Sequence, residues 1–194
     1  MYDVTDPIRL DPATLRVLAH PLRSRLLSEL RLHGPATATE LADRLATNTG
    51  ATSYHLRKLE SVDLVDDTGD GAGKRRVWQA SSRSHEWDAS DFAGDEDAEA
   101  SLAWLTRHYV AQTAERAEQW FQHERGWPDE WRDALGFADD GVLVTAAQAR
   151  ELRRELEAVV ARYRDAGAGD PAARRVLVTA LALPVEPRFT EDGS

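Results

Sequence analysis

Cysteine is absent from the 194-residue chain. That one absence excludes a disulfide framework, a thiolate zinc site and thiol-based redox sensing. No apolar run approaches the roughly 18 residues that a membrane span needs, and the first ten residues, MYDVTDPIRL, have neither a basic start nor an apolar signal core. The expectation is a cytoplasmic protein with no membrane partner. Catalytic signatures are missing as well: there is no nucleophile elbow, phosphate loop, HExxH or carboxylate pair in a catalytic setting. The chain is therefore expected not to be an enzyme, and to hold neither metal nor cofactor. Lysine is confined to Lys58 and Lys74.

What is present is globular in character, 42% hydrophobic and 30% charged. A chain of 21.6 kDa is long enough to bury about 70% of its unfolded surface, in one or two domains. The net charge of −10 argues against a nucleic-acid partner until its distribution is considered. Residues 1–85 hold 12 Lys and Arg against 11 Asp and Glu, a balance of +1, whereas 86–194 hold 12 against 23, a balance of −11. A Debye length of about 8 Å at physiological salt screens a distant acidic half from a basic face touching phosphate.

Along the chain, Asp11-Pro12 opens a helix carrying Leu15 and Leu18. His20-Pro21 interrupts it, and a second helix follows with Leu22, Leu26, Leu27 and Leu30 inward, up to Gly34-Pro35. Thr37-Ala-Thr-Glu40 fits a capping box, starting a short helix with Leu41 and Leu45. After Thr47-Asn48-Thr49 another helix is expected from about Thr49 to Ser61, with Thr52, Leu56 and Leu59 pointing inward. Its outer face then carries Gly50, Ser53, Tyr54, Arg57 and Lys58. An ordinary solvated face would alternate glutamates with its cations, but the single acid here is Glu60, near the end. Leu64-Val65, the turn residues 70–73 and Lys74-Arg75-Arg76-Val77-Trp78 read as a β-hairpin with a basic return strand. Taken alone, those cations could merely protect an edge strand from aggregation.

Helix, helix-turn-helix and a two-stranded wing is the order of a winged helix-turn-helix. The segment LAHPLRSRLLSELRLHGPATATELADRLATNTGATSYHLRKLESVDLV closely resembles the DNA-binding domain of ArsR-type bacterial repressors. Its sharpest part, NTGATSYHLRKL, is similar to the recognition helix of an ArsR-like subgroup that has an extra C-terminal region in place of a metal site. The resemblance covers residues 10–83. It implies that 49–61 enters the major groove of double-stranded DNA while the wing, 64–80, grips the backbone or the minor groove. Thr49, Gly50, Ser53 and Tyr54 would lie nearest base edges, with Lys58, Lys74, Arg75 and Arg76 nearer phosphate and Arg57 either on phosphate or paired bidentately with a guanine. His55, beside the inward Leu56, reads as a packing or phosphate-side residue. Two departures stand out. ELADRL occupies the stretch where ArsR-type metal sensors place a cysteine pair, and the glycine that usually ends the recognition helix is replaced by Asp63, which can adopt a left-handed conformation at some steric cost.

Residues 84–97 are expected as an acidic linker that partly packs, and 98–187 as a C-terminal α+β region. A helix without Gly or Pro from about Asp97 to Arg125 would run about 40 Å, longer than a small domain needs, and is read as a dimerisation helix. Strands are expected at 141–144 and 175–183, flanking a helix from Ala146 to about Asp165 that opens on the capping box Thr145-x-x-Gln148. Trp104, Trp120, Trp127 and Trp131 either line a hydrophobic effector pocket or belong to core or dimer interface. His108 and His123 are too far apart along one helix to share a metal.

The expected fold is thus mainly α with small β. The expected function is a homodimeric, sequence-specific transcriptional regulator, a repressor, with any small-molecule effector undefined. The alternative is a winged-helix protein-interaction module acting through its acidic C-terminal half.

Overall fold

The computed structural model describes residues 7–71, 73 and 75–185. Two compact units, Met1–Gln122 and His123–Ser194, divide the chain. The fold is mainly helical, with five short strands among the described residues, all of them in the first unit.

In that unit, β1 (Ile8–Arg9) leads into α1 (Pro12–Leu18), capped by the Asp11 carboxylate, which accepts from the Thr14 amide at 2.7 Å. α2 (Pro21–His33) starts on an unusual cap, the His20 imidazole, whose Nδ1 accepts from the Leu22 amide at 3.2 Å. After β2 (Ala36–Thr37), the Thr37–Glu40 capping box opens α3 (Ala38–Arg44) as expected. α4 (Thr49–Glu60) begins at Asn48, whose side chain accepts from the Ala51 amide at 2.8 Å. Each cap satisfies an amide that the helix itself leaves free, so these start points are dictated locally.

Leu15, Leu18, Leu26, Leu27, Leu41, Leu56, Leu59 and Leu64 are at most 1% exposed and form one cluster. Thr52, Leu56 and Leu59 all point inward from α4, as their spacing requires. Between α3 and α4 the chain turns through Ala46, whose φ is +50°. Asp63 takes the left-handed conformation that was open to it, at φ +56°.

The hairpin consists of β3 (Val65–Asp67) and β4 (Val77–Ala80), antiparallel, with β2 on the other side of β4. Trp78 on β4 is 3% exposed and joins the core. The return strand therefore begins only at Val77: Arg75 and Arg76 lie in the connection, not in the strand itself, because the ladder closes at Asp67 opposite Trp78.

The segment 84–97 lies within the first unit instead of linking two. β5 (His85–Glu86) pairs in parallel with β1, Phe92 is 1% exposed in the core, and Arg9 bridges Asp88 and Asp91. α5 (Glu96–His123) places Ala98 and Leu105 in the same core, and at 28 residues it is about 42 Å long.

The second unit contains the short α6 (Asp129–Ala134) and α7 (Ala146–Tyr163), the latter opening on the expected Thr145–Gln148 capping box. Residues 141–144 and 175–183 are not strands: they pair with nothing in a sheet among the described residues. Their β-branched and apolar composition speaks for extended side-chain packing, but a strand also needs a neighbouring backbone for its amides and carbonyls. No described helix is long and apolar enough to cross a membrane.

Candidate nucleic-acid interface

Because the leucine seam of α4 is buried, its opposite face is turned outward. Thr49, Gly50, Tyr54, Arg57 and Lys58 are exposed and Ser53 is half-buried. Tyr54 is 55% exposed, high for an aromatic ring, with the Lys58 ammonium 5.9 Å from its centroid. On the other side the Tyr54 ring meets His55 edge-on at 5.1 Å. His55 in turn lies 4.4 Å, ring to ring, from His20, the cap of α2. Burial, then the neighbouring His20 and Arg23, hold the His55 pKa below its ordinary value. A neutral His55 is thus a packing contact between the two helices, and its buried Nδ1 has no hydrogen-bond partner among the described residues.

The outward face of α4 opens on a cleft of about 200 Å³, lined by Thr39, Thr49, Ser53, Arg57, Arg75 and Arg76 among others. Both wing arginines are held at its rim. Arg75 reaches Thr37 Oγ1 at 3.4 Å and Glu40 at 3.9 Å, so the capping box of α3 also orients a cation of the hairpin. Hydrogen bonds, led by that from the Thr37 amide, keep the Glu40 carboxyl below its ordinary pKa, so it stays an anion toward Arg75. Arg76 donates to both oxygens of Glu60, at 3.1 and 3.3 Å, and stands over the Trp78 ring at 5.4 Å. Of the residues expected on this face, Lys74 lies outside those described. The roles of Glu40, Glu60 and Trp78 as anchors for the arginines were not foreseen; the capping-box motif at Thr37–Glu40 pointed to the first only as a helix start.

Of the four tryptophans, Trp104 and Trp120 lie in the first unit and Trp127 and Trp131 in the second. Trp104 packs on the core of the first unit and stacks on His108 at 4.6 Å. Trp120 lies sixteen residues further along the same helix, about 24 Å away, too far to line the same small-molecule cavity within a chain. Trp127 and Trp131 meet edge-to-face at 5.9 Å in the second unit. No cluster of three metal-ligating side chains occurs among the described residues.

A core of four helices whose last two flank a tight turn, followed by a hairpin packed on that core, is a winged helix-turn-helix domain. Residues 18–68 match the family described as Helix-turn-helix domain. The domain resembles those of ArsR-type regulators: 66 residues are 39% identical to the HTH-type transcriptional regulator NmtR of Mycobacterium tuberculosis, covering 34% of this chain and 52% of that protein. The chain thus spans about half the length of that curated relative. Among solved structures, RV1404 from Mycobacterium tuberculosis aligns over 82% of this chain and 83% of its own, with a TM-score of 0.30 and 16% identity. A mutant of ZitR from Lactococcus lactis aligns over 74% and 73%, with a TM-score of 0.29 and 12% identity.

Proposed function

We propose that the chain is a homodimeric, sequence-specific regulator of transcription, a bacterial cytoplasmic repressor that acts by occupying duplex DNA and performs no chemistry. The observation that carries this reading is the outward face of α4: small, hydrogen-bonding and cationic groups presented beside two arginines anchored at the rim of a cleft. A helix is narrow enough to enter the major groove, where Thr49, Ser53 and Tyr54 meet base edges, while Arg75 and Arg76 meet phosphate from the hairpin. Two reading heads double the phosphate contacts and sample half-sites about 34 Å apart. The long α5 supplies a face for that pairing, since Val110 (46% exposed) and Phe121 (53%) are eleven residues, or three turns, apart on one side of it.

The test is selection of bound duplexes from a random-sequence library, followed by affinity measurements at several salt concentrations. Neutralising about 6–10 phosphates gives a log–log slope near −0.9 per phosphate. Arg75→Ala should weaken binding to all duplexes alike and flatten the slope by about one, whereas Ser53→Ala or Tyr54→Ala should change the selected sequence. Unchanged affinity after both Arg57→Ala and Arg75→Ala would refute the assignment of this face.

A further inference from the structure

Lysine is the cation this chain avoids. Outside the reading face every one of its cations is arginine, and both lysines fall among the cations assigned to that face, Arg57, Lys58, Lys74, Arg75 and Arg76. Phosphate contact does not ask for that choice. A guanidinium carries the same charge, presents its donors in a fixed fork and matches a phosphate bidentately, whereas an ammonium is a point charge. What lysine adds is reactivity: its amine can lose a proton and attack an acyl group, while the guanidinium stays protonated and inert.

Of the two lysines, Lys58 lies within the described residues, and the structure sets it apart from its cationic neighbours. Arg75 is held by Glu40 at 3.9 Å, and Arg76 by Glu60 at 3.1 Å and by Asp67 at 3.4 Å. Lys58 is exposed and has no carboxylate partner among the described residues, so acylation there breaks no ion pair. Glu60, two residues further on, does not face it and is engaged by Arg76. The Lys58 ammonium instead stands 5.9 Å from the centroid of the Tyr54 ring, near the limit of a cation–π contact. Arg57, beside it in sequence and also exposed, adds a second positive charge to the same face, and adjacent cations draw in an anionic donor.

We propose that Lys58 is an acylation site through which an acyl phosphate switches off the reading face. The neutral Nζ attacks the acyl carbonyl carbon; the N–C bond forms as the C–O bond to phosphate breaks, inorganic phosphate leaves with the bonding pair, and the proton released from nitrogen goes to solvent. The positive charge at Lys58 becomes a neutral amide. One phosphate contact and its released counterion are then lost, and the Tyr54 ring loses the cation beside it. Both losses fall on α4, the helix that meets base edges.

This rests on the duplex-reading function proposed above, and the experiment keeps the two apart. Full-length K74R, in which Lys58 is the single lysine, and K58R/K74R, which has none, are treated with acetyl phosphate. Acylated positions are mapped by peptide mass spectrometry, far-UV circular dichroism before and after treatment is the folding control, and affinity for a selected duplex is measured before and after at several salt concentrations. Treated K74R should carry the acetyl group on Lys58 and lose about fivefold in affinity, with its log–log slope flattened by about 0.9. K58R/K74R, whatever its starting affinity, should change by less than about twofold on the same treatment. An unmodified Lys58, a modified Lys58 with unchanged affinity, or an equal loss in K58R/K74R overturns this inference and leaves the duplex-reading function intact; a wild type that binds no duplex ends both.

Discussion

Ala46 is the residue on which the helix-turn-helix pivots, and it sits at φ +50° with its side chain exposed. In that region an L-residue carries roughly 1–2 kcal/mol of steric cost from its own Cβ, which glycine would not bear. Glycine also enlarges the unfolded ensemble, offsetting roughly 0.5–1 kcal/mol of that relief. Because the Cβ of Ala46 is exposed, no packing is lost, and Ala46→Gly should stabilise the first unit by about 0.5–1 kcal/mol. The same substitution at Ala114, an exposed position in the middle of α5, should do the opposite, costing about 1 kcal/mol in helix propensity. Both positions lie in one compact unit, so one urea transition reports both. With an m-value of about 2 kcal/mol per molar, the midpoint should rise by about 0.3–0.5 M for Ala46→Gly and fall by a similar amount for Ala114→Gly. A midpoint lowered by Ala46→Gly would refute the reasoning that backbone conformation, not side-chain contact, governs this turn.

Thr37→Ala removes the cap of α3 and should destabilise the first unit by about 1–2 kcal/mol in thermal unfolding; it should also weaken duplex binding by freeing Arg75. At Gly71 an added Cβ would fall 1.7 Å from the Arg75 carbonyl oxygen, so Gly71→Ala should displace the wing and lower duplex affinity while leaving melting of the helical core nearly unchanged. His85 is the main pH-sensitive group: burial, then Arg31, depress its pKa to about 3. The folded state therefore binds fewer protons than the unfolded state between about pH 3 and 6.5, and its stability is complete above pH 6.5 and declines on acidification through that window. Measured between pH 6.5 and 5, above the carboxylate range, His85→Gln should reduce the slope of unfolding free energy against pH by up to about 1.4 kcal/mol per unit; an unchanged slope would contradict the buried neutral imidazole.

Local signals told most about the reading head. Asp11, Thr37 and the spacing of Thr52, Leu56 and Leu59 each act within one or two helical turns, so the helices and the inward face of α4 follow from them directly. The left-handed Asp63 was open only through the resemblance, from the glycine that it replaces. Contacts distant in sequence were not legible. Nothing near Ala36–Thr37 announces that it pairs with β4, and nothing in the acidic run 84–97 announces that Phe92 belongs to the core, because polar neighbours mask a single apolar residue whose partners are far along the chain. In the second unit the failure runs the other way: segments 141–144 and 175–183 have the composition of strands, but composition does not supply the neighbouring backbone.

What joins the reading head to α5 is a buried polar network, and its chemistry limits how the two can move. Burial lowers the Arg31 pKa to about 10, and the guanidinium of α2 donates to the Ser82 carbonyl at 3.0 Å and to His85 Nδ1 at 2.6 Å. With Nδ1 accepting, the neutral ring carries its proton on Nε2 and donates it to the Tyr109 hydroxyl of α5 at 3.0 Å. Burial also holds the Tyr109 phenol well above its ordinary pKa, so it stays protonated. Seven residues beyond Tyr109, Arg116 donates to Ser28 of α2 at 2.9 Å. Sliding α5 along α2 by even a fraction of a turn would break these bonds and strand a buried guanidinium, a penalty of several kcal/mol. The first part of α5 is thereby fixed to the DNA-reading core as one body, so if α5 is the dimer helix, the angle at which two copies of it cross sets the distance between their α4 helices.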